Sequence, residues 1–241
     1  MPDSSGPTVV LVHGAFADAG SWAAVTERLL AADVPVQAIV NPLRGVKHDA
    51  AYVGSFIKQI DGPVLAVGHS YGGSAITNGV PLTDNVVGLV YVAAFAPEEG
   101  ELLGDIPAGS KESLLGPALV QWRYPADDGG EPAVELTIDI DQFHDVFTHD
   151  LSAEKTALYG NSQRPVAAAA FAEPSGHPAW KDLPSWAAIG TADKAIGADQ
   201  VTMMAERAGA TITNIDASHV VMISQPDAVT EVILTARDAV S

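Results

Sequence analysis

Cysteine is absent from the 241 residues, which excludes disulfides, thiolate metal sites and a cysteine nucleophile together. Any covalent catalysis must therefore run through oxygen or nitrogen. Basic residues are scarce: 12 Lys and Arg stand against 30 Asp and Glu, and the formal net charge of −18 repels polyanions and argues against a nucleic-acid partner. Long apolar runs are missing too. No stretch offers about 18 uninterrupted apolar residues, and the first residues, MPDSSGPTVVLVHG, lack a basic region followed by an apolar core. The chain reads as a cytoplasmic protein that neither spans nor binds a membrane.

What is present is an ordinary folded composition, 47% hydrophobic and 17% charged, at a length that suits one α/β domain carrying an insertion. Short apolar, β-branched runs predict strands at 8–13, 36–40, 63–69, 86–92, 185–190 and 211–216. Between them SWAAVTERLLAA, HDAAYVGSFIKQI, SAITNGV, ADQVTMMAERAG and PDAVTEVILTARDAV have helical spacing or helix-start signals. The alternation predicts a parallel sheet of six strands covered on both faces. It breaks between residues 97 and 184, a span far longer than one crossover needs. We expect residues 1–96 and 185–241 to form the core domain and 97–184 an inserted cap, made of helices with a loop at YPADDGGEPA rather than of a second sheet. Leaving from the carboxyl end of a strand, this cap would lie over the edge where open α/β sheets bind ligands.

Gly68-His69-Ser70-Tyr71-Gly72 fits G-x-S-x-G between a strand and a helix, the context in which that motif holds a serine on a sharp, strained turn. Ser70 is the candidate nucleophile, and it needs a histidine as base and an acid to orient that histidine. Of the seven histidines, His219 follows the last strand in DASHVVMISQP, at the sheet's carboxyl edge. His13 and His69 sit in glycine turns and read as packing residues, while His48, His144, His149 and His177 fall in helices or the cap. Asp193, in IGTADKAIG after the fifth strand, is the preferred acid; Asp216, Glu98 and Glu99 are its rivals. The backbone N–H of Tyr71 and that of Ala15, otherwise Phe16, are candidates for an oxyanion hole. Phe16, Trp22, Phe95, Trp122 and Phe147 are candidate pocket residues, and the cap is expected to set substrate choice without supplying the chemistry.

HGAF, GHSYGG, GTADKAI and SHVVMISQP resemble the α/β-hydrolase fold, in particular the small esterase branch that includes plant methyl-salicylate esterases and hydroxynitrile lyases. The resemblance implies a minimal six-stranded, mostly parallel sheet with a helical cap, because no room remains before Thr8 for the first antiparallel hairpin of that superfamily. It also implies a serine hydrolase that cleaves a small, apolar carboxylic ester without metal or organic cofactor. Serine at position 70 disfavours dehalogenase and epoxide-hydrolase chemistry, which uses aspartate there. Val220 stands where the lyases carry a lysine. A C–C bond hydrolase or lyase, and a slow-turnover binder of small ligands, remain alternatives.

Overall fold

A computed structural model describes residues 6–126 and 129–241. Residues 1–5 and two aspartates of the expected cap loop, Asp127 and Asp128, lie outside the described residues. The strands are β1 (Thr8–Val12), β2 (Val36–Ile39), β3 (Val64–His69), β4 (Val86–Val92), β5 (Leu119–Tyr124), β6 (Ala133–Ile138), β7 (Val166–Ala167), β8 (Ser185–Gly190) and β9 (Thr211–Ile215). The helices are α1 (Ala23–Ala31), α2 (Val46–Ile57), α3 (Tyr71–Gly79), α4 (Asp105–Ala108), α5 (Leu115–Ala118), α6 (Ala153–Asn161), α7 (Ala169–Ala172), α8 (Ala198–Arg207), α9 (Val221–Ser224) and α10 (Pro226–Ala239).

Six strands form one sheet in the order β2-β1-β3-β4-β8-β9, and every pair in it is parallel. The period of two along β1 explains the two cores. Val10 and Val12 join Tyr71 and Ile76 on one face, while Val9 and Leu11 join Trp22, Leu29 and Ile233 on the other. Both faces of the four inner strands, β1, β3, β4 and β8, are dry, so these carry near-continuous apolar runs instead of a polar side. The chain leaves β1 toward β2 and then returns across β1 to β3. The strand order thus reverses between β1 and β3, and their carboxyl ends diverge there to open a crevice.

The inserted segment differs from expectation. It contains a second sheet, antiparallel, in the order β5-β6-β7. The reason is visible in Val134-Glu135-Leu136-Thr137-Ile138, a strict apolar/polar alternation that no helix can bury on one face. Pro117 sits inside the short α5, and the chain passes directly from it into β5. A π-helical turn, His144–Thr148, and α6 complete the middle of the segment.

Candidate functional site

Ser70 sits at the turn between β3 and α3 with φ 52° and ψ −123°, outside the regions an L-residue readily adopts. The surroundings hold it there. Its N–H donates to the Val92 carbonyl at 3.3 Å, and its carbonyl accepts from Gly73 at 2.9 Å and Phe95 at 3.1 Å. A Cβ on Gly72 would collide with the carbonyl oxygen of Val12, so only glycine lets α3 start this close to β1. Tyr71 opens α3, and its amide is one of the N–H groups that a helix's first turn leaves without an intrahelical acceptor. The Tyr71 ring is buried and its hydroxyl donates to Asp49 Oδ2 at 2.8 Å. Burial, with the Asp49 carboxylate beside it, pushes this phenol well above its ordinary range, so it remains a neutral anchor.

The β1 loop closes the crevice from the other side. A Cβ on Gly14 would lie 2.6 Å from Ser70 Cβ and 2.8 Å from the His69 carbonyl oxygen, so the loop approaches the serine as closely as backbone allows. The Phe16 N–H already donates to the Arg164 carbonyl at 3.1 Å. Of the two candidate amides in this loop, only Ala15 remains open to an oxyanion.

His219 and Asp193 come from the loops after β9 and β8. The His219 Nδ1–H donates to Asp193 Oδ2 at 2.7 Å, and both side chains are buried. Asp193 Oδ1 accepts from the amides of Ala195 at 2.8 Å and Ile196 at 3.1 Å, which fixes the carboxylate's orientation. With Nδ1 protonated, His219 Nε2 is an acceptor, and it is buried with no protein partner. His219 and Ser70 line one cavity with Ala15, Tyr71, Phe16, Phe95 and Phe147. About 10 Å³ of it is open to the centre of a water molecule, room for roughly one water.

The other histidines divide by their surroundings. His69 Nε2–H donates to the His219 carbonyl at 3.0 Å, and burial holds this imidazole well below its ordinary pKa. His13 donates from Nδ1 to the Gly14 carbonyl at 2.8 Å and accepts at Nε2 from the Asn41 amide at 2.9 Å. Burial lowers its pKa to about 4. Both are neutral struts for the two turns. The rivals to Asp193 lie elsewhere: Asp216 is exposed, and Glu98 pairs with Lys181 at 2.5 Å on the surface.

Two expected pocket residues are misplaced. Trp22 is fully buried on the opposite face of the sheet, edge-on to His69 at 6.3 Å, because the turn Ala19–Trp22, capped by Asp18, folds it beneath β1. Trp122 is 55% exposed on β5, its Nε1–H donating to Thr137 Oγ1 at 2.8 Å. It lines an open groove of about 600 Å³ on the outer cap sheet that shares no residue with the Ser70 cavity.

Sequence reasoning also missed residues. Leu115, Phe171, Ala195 and Ile196 complete the cavity wall. The residues just after the π-helical turn hold the loops that carry Asp193 and His219: His149 Nε2–H donates to the Ala192 carbonyl at 2.8 Å, and Asp150 Oδ2 accepts from the Ser218 amide at 2.9 Å. Burial pushes the Asp150 pKa up, but hydrogen bonding from Ser218 outweighs it and holds the carboxylate below its ordinary range. These contacts had no sequence signal, since no residue pattern announces a π-turn. Among the described residues no group of three or more His, Asp or Glu side chains could hold a metal ion.

The sequence matches the alpha/beta hydrolase family over residues 9–232. The chain belongs to that family. Among solved structures, polyneuridine aldehyde esterase superposes with a TM-score of 0.78 at 19% identity, covering 96% of this chain and 99% of its own. A methylesterase from Arabidopsis gives 0.78 at 19%, covering 95% and 98%. The pyrethroid hydrolase of Sphingobium faniae gives 0.74 at 19%, covering 97% and 98%. At such identities the likeness speaks for the hydrolase fold alone. A comparison with curated protein sequences gives no match. Among the described residues no helix is long and apolar enough to cross a membrane.

Proposed function

We propose that this hydrolase is a serine esterase that cleaves small, apolar carboxylic esters. The observation that carries the reading is His219: its Nδ1 is tied to a buried, doubly amide-bonded Asp193, and its unpartnered Nε2 shares a closed apolar cavity with a strained Ser70. In this reading Nε2 takes the Ser70 proton as Oγ attacks the ester carbonyl, and Asp193 stabilises the imidazolium that forms. The amides of Tyr71 and Ala15 receive the oxyanion. His219 then protonates the leaving alcohol, and water attacks the acyl-enzyme by the same path in reverse. Phe16, Phe95 and Phe147 favour an uncharged acyl or alcohol group. The structural neighbours, polyneuridine aldehyde esterase, a methylesterase and a pyrethroid hydrolase, agree with ester cleavage. Residues 1–96 and 185–241 carry the reacting groups in this scheme, and 97–184 act as the cap.

The test is a hydrolysis screen over esters, lactones and β-diketones with a fluorophosphonate probe alongside. Ester turnover is expected, with a single phosphonylated residue, Ser70, and neither activity nor label in folded Ser70→Ala. Cleavage of β-diketones alone, or label on another residue, would overturn the assignment.

A further inference from the structure

The cavity around Ser70 is too small for any ester beyond its reacting carbonyl, yet a second cavity of about 390 Å³ lies against it. Leu115 and Phe171 line both, so these two side chains are the partition. The outer wall is supplied by Pro107 of α4, Pro117 of α5, Leu119 of β5 and Leu136 of β6, and no charged side chain lines it. Its hydroxyls are spent elsewhere. Ser110 Oγ donates to Asp199 at 2.5 Å, and Ser113 Oγ donates to the Ala195 carbonyl at 2.5 Å. What the cavity offers a ligand is therefore apolar surface.

We propose that this outer cavity is the binding site for the uncharged arm of the ester, a medium alkyl chain or an aryl ring, and that Leu115 and Phe171 swing aside to join it to the Ser70 cavity. The inference rests on the esterase reading and narrows its substrate class. Continuity commits the site to one occupant: a group that enters past this partition is covalently part of the molecule whose carbonyl sits at Ser70. The backbone under the partition is fixed, since the Phe171 carbonyl accepts from the Gly104 amide at 3.0 Å and a Cβ on Gly104 would already touch that oxygen at 3.1 Å. Side-chain rotation is the motion left to Phe171. That ring is only half-buried, as a residue between two spaces should be.

The experiment compares p-nitrophenyl acetate with p-nitrophenyl octanoate in the full chain and in two variants. Gly116 lines the outer cavity alone, and a Cβ there meets nothing within 4 Å, so Gly116→Phe fills the site without a built-in clash. The ratio of kcat/KM for octanoate over acetate should fall about tenfold in Gly116→Phe and rise by roughly threefold or more in Phe171→Ala, where the partition is gone. Circular dichroism checks that each variant is folded. A folded variant of either kind whose ratio moves by less than about twofold, or in the other direction, overturns the proposal while leaving the esterase reading intact. Failure of the wild-type protein to hydrolyse either ester, together with no phosphonate label on Ser70, overturns both.

Discussion

Replacing Gly14 by alanine tests the closest approach in the site. The added Cβ would lie 2.6 Å from Ser70 Cβ, 2.8 Å from the His69 carbonyl oxygen and 3.2 Å from Ser70 Oγ. Carbon atoms rest comfortably at about 3.5–4.0 Å, so roughly 1 Å of separation must come from somewhere. Neither side yields cheaply. Ser70 is held through its own N–H and carbonyl, and His69 ends a strand hydrogen-bonded on both sides. The β1 loop is therefore the part that shifts, and in the proposed mechanism it carries the Ala15 amide away from the developing oxyanion. Overpacking of this kind costs about 1–3 kcal/mol of stability, and losing one oxyanion donor costs about 10²–10³ in kcat. Urea denaturation reads the first, and steady-state ester hydrolysis reads the second. Phosphonylation of Ser70 should slow with hydrolysis, because it too builds negative charge on an oxygen in that hole. A folded Gly14→Ala protein with kcat within about threefold of wild type would refute the geometry, since the loop would then tolerate the displacement without loss.

Other expectations follow from the same contacts. Asp193→Asn should keep the fold and lower kcat by roughly 10³–10⁴, whereas Asp216→Asn, at an exposed side chain, should stay near wild type; the reverse ranking would move the acid. His13 is neutral when folded, with a pKa of about 4 against 6.5 when unfolded, so its stabilisation is full above pH 6.5 and is lost as pH falls toward 4. By pH 5 that loss should reach about 2 kcal/mol, with His69 adding in the same direction; a His13→Gln protein with an unaltered pH dependence in urea melts would show that His13 titrates normally. Asp150→Ala should cost about 1–2 kcal/mol in urea melts and lower kcat more than it raises KM, because the Ser218 amide it holds precedes the base; an unchanged kcat would make the contact structural only.

The parallel sheet was legible because burial on both faces of the inner strands forces continuous apolar runs, and all six expected strands occur within a residue of their expected limits. The positions of the Ser70 turn and of the loops bearing Asp193 and His219 could be read for the same reason: they follow from the ends of those strands. The cap sheet was not read. Its strands are half-exposed and carry Gln121, Arg123 and Glu135 among their apolar residues, a pattern easily taken for one face of a helix once alternation is overlooked. Trp22 and Trp122 failed differently. Proximity to a strand's carboxyl end says nothing about which face of the sheet a following turn will choose, and Trp22 went to the far one. Leu115 and Phe171 had no local signal at all, since a partition between two cavities exists only once α5 and α7 are packed.

The bonds made by His149 and Asp150 alter how the cap should be understood. A simple lid would touch the sheet edge through apolar contacts it could break and remake. Here one stretch of the cap grips the Asp193 loop through the Ala192 carbonyl and the His219 loop through the Ser218 amide, and the Phe147 ring packs on the His219 ring at 4.8 Å. Ser218 returns a further bond to the Phe147 carbonyl at 3.3 Å. Each of these hydrogen bonds is worth about 1 kcal/mol, so opening this stretch as a unit would cost several. It would also release the two loops whose separation sets the His219–Asp193 hydrogen bond. The outer partition is under no such constraint: Leu115 and Phe171 meet the cavities through apolar side chains, and rotating them breaks no hydrogen bond of His219 or Asp193. In the proposed esterase, substrate entry therefore belongs on the α4, α5 and α7 side of the inserted segment, with the π-helical turn as the fixed side against which His219 is held.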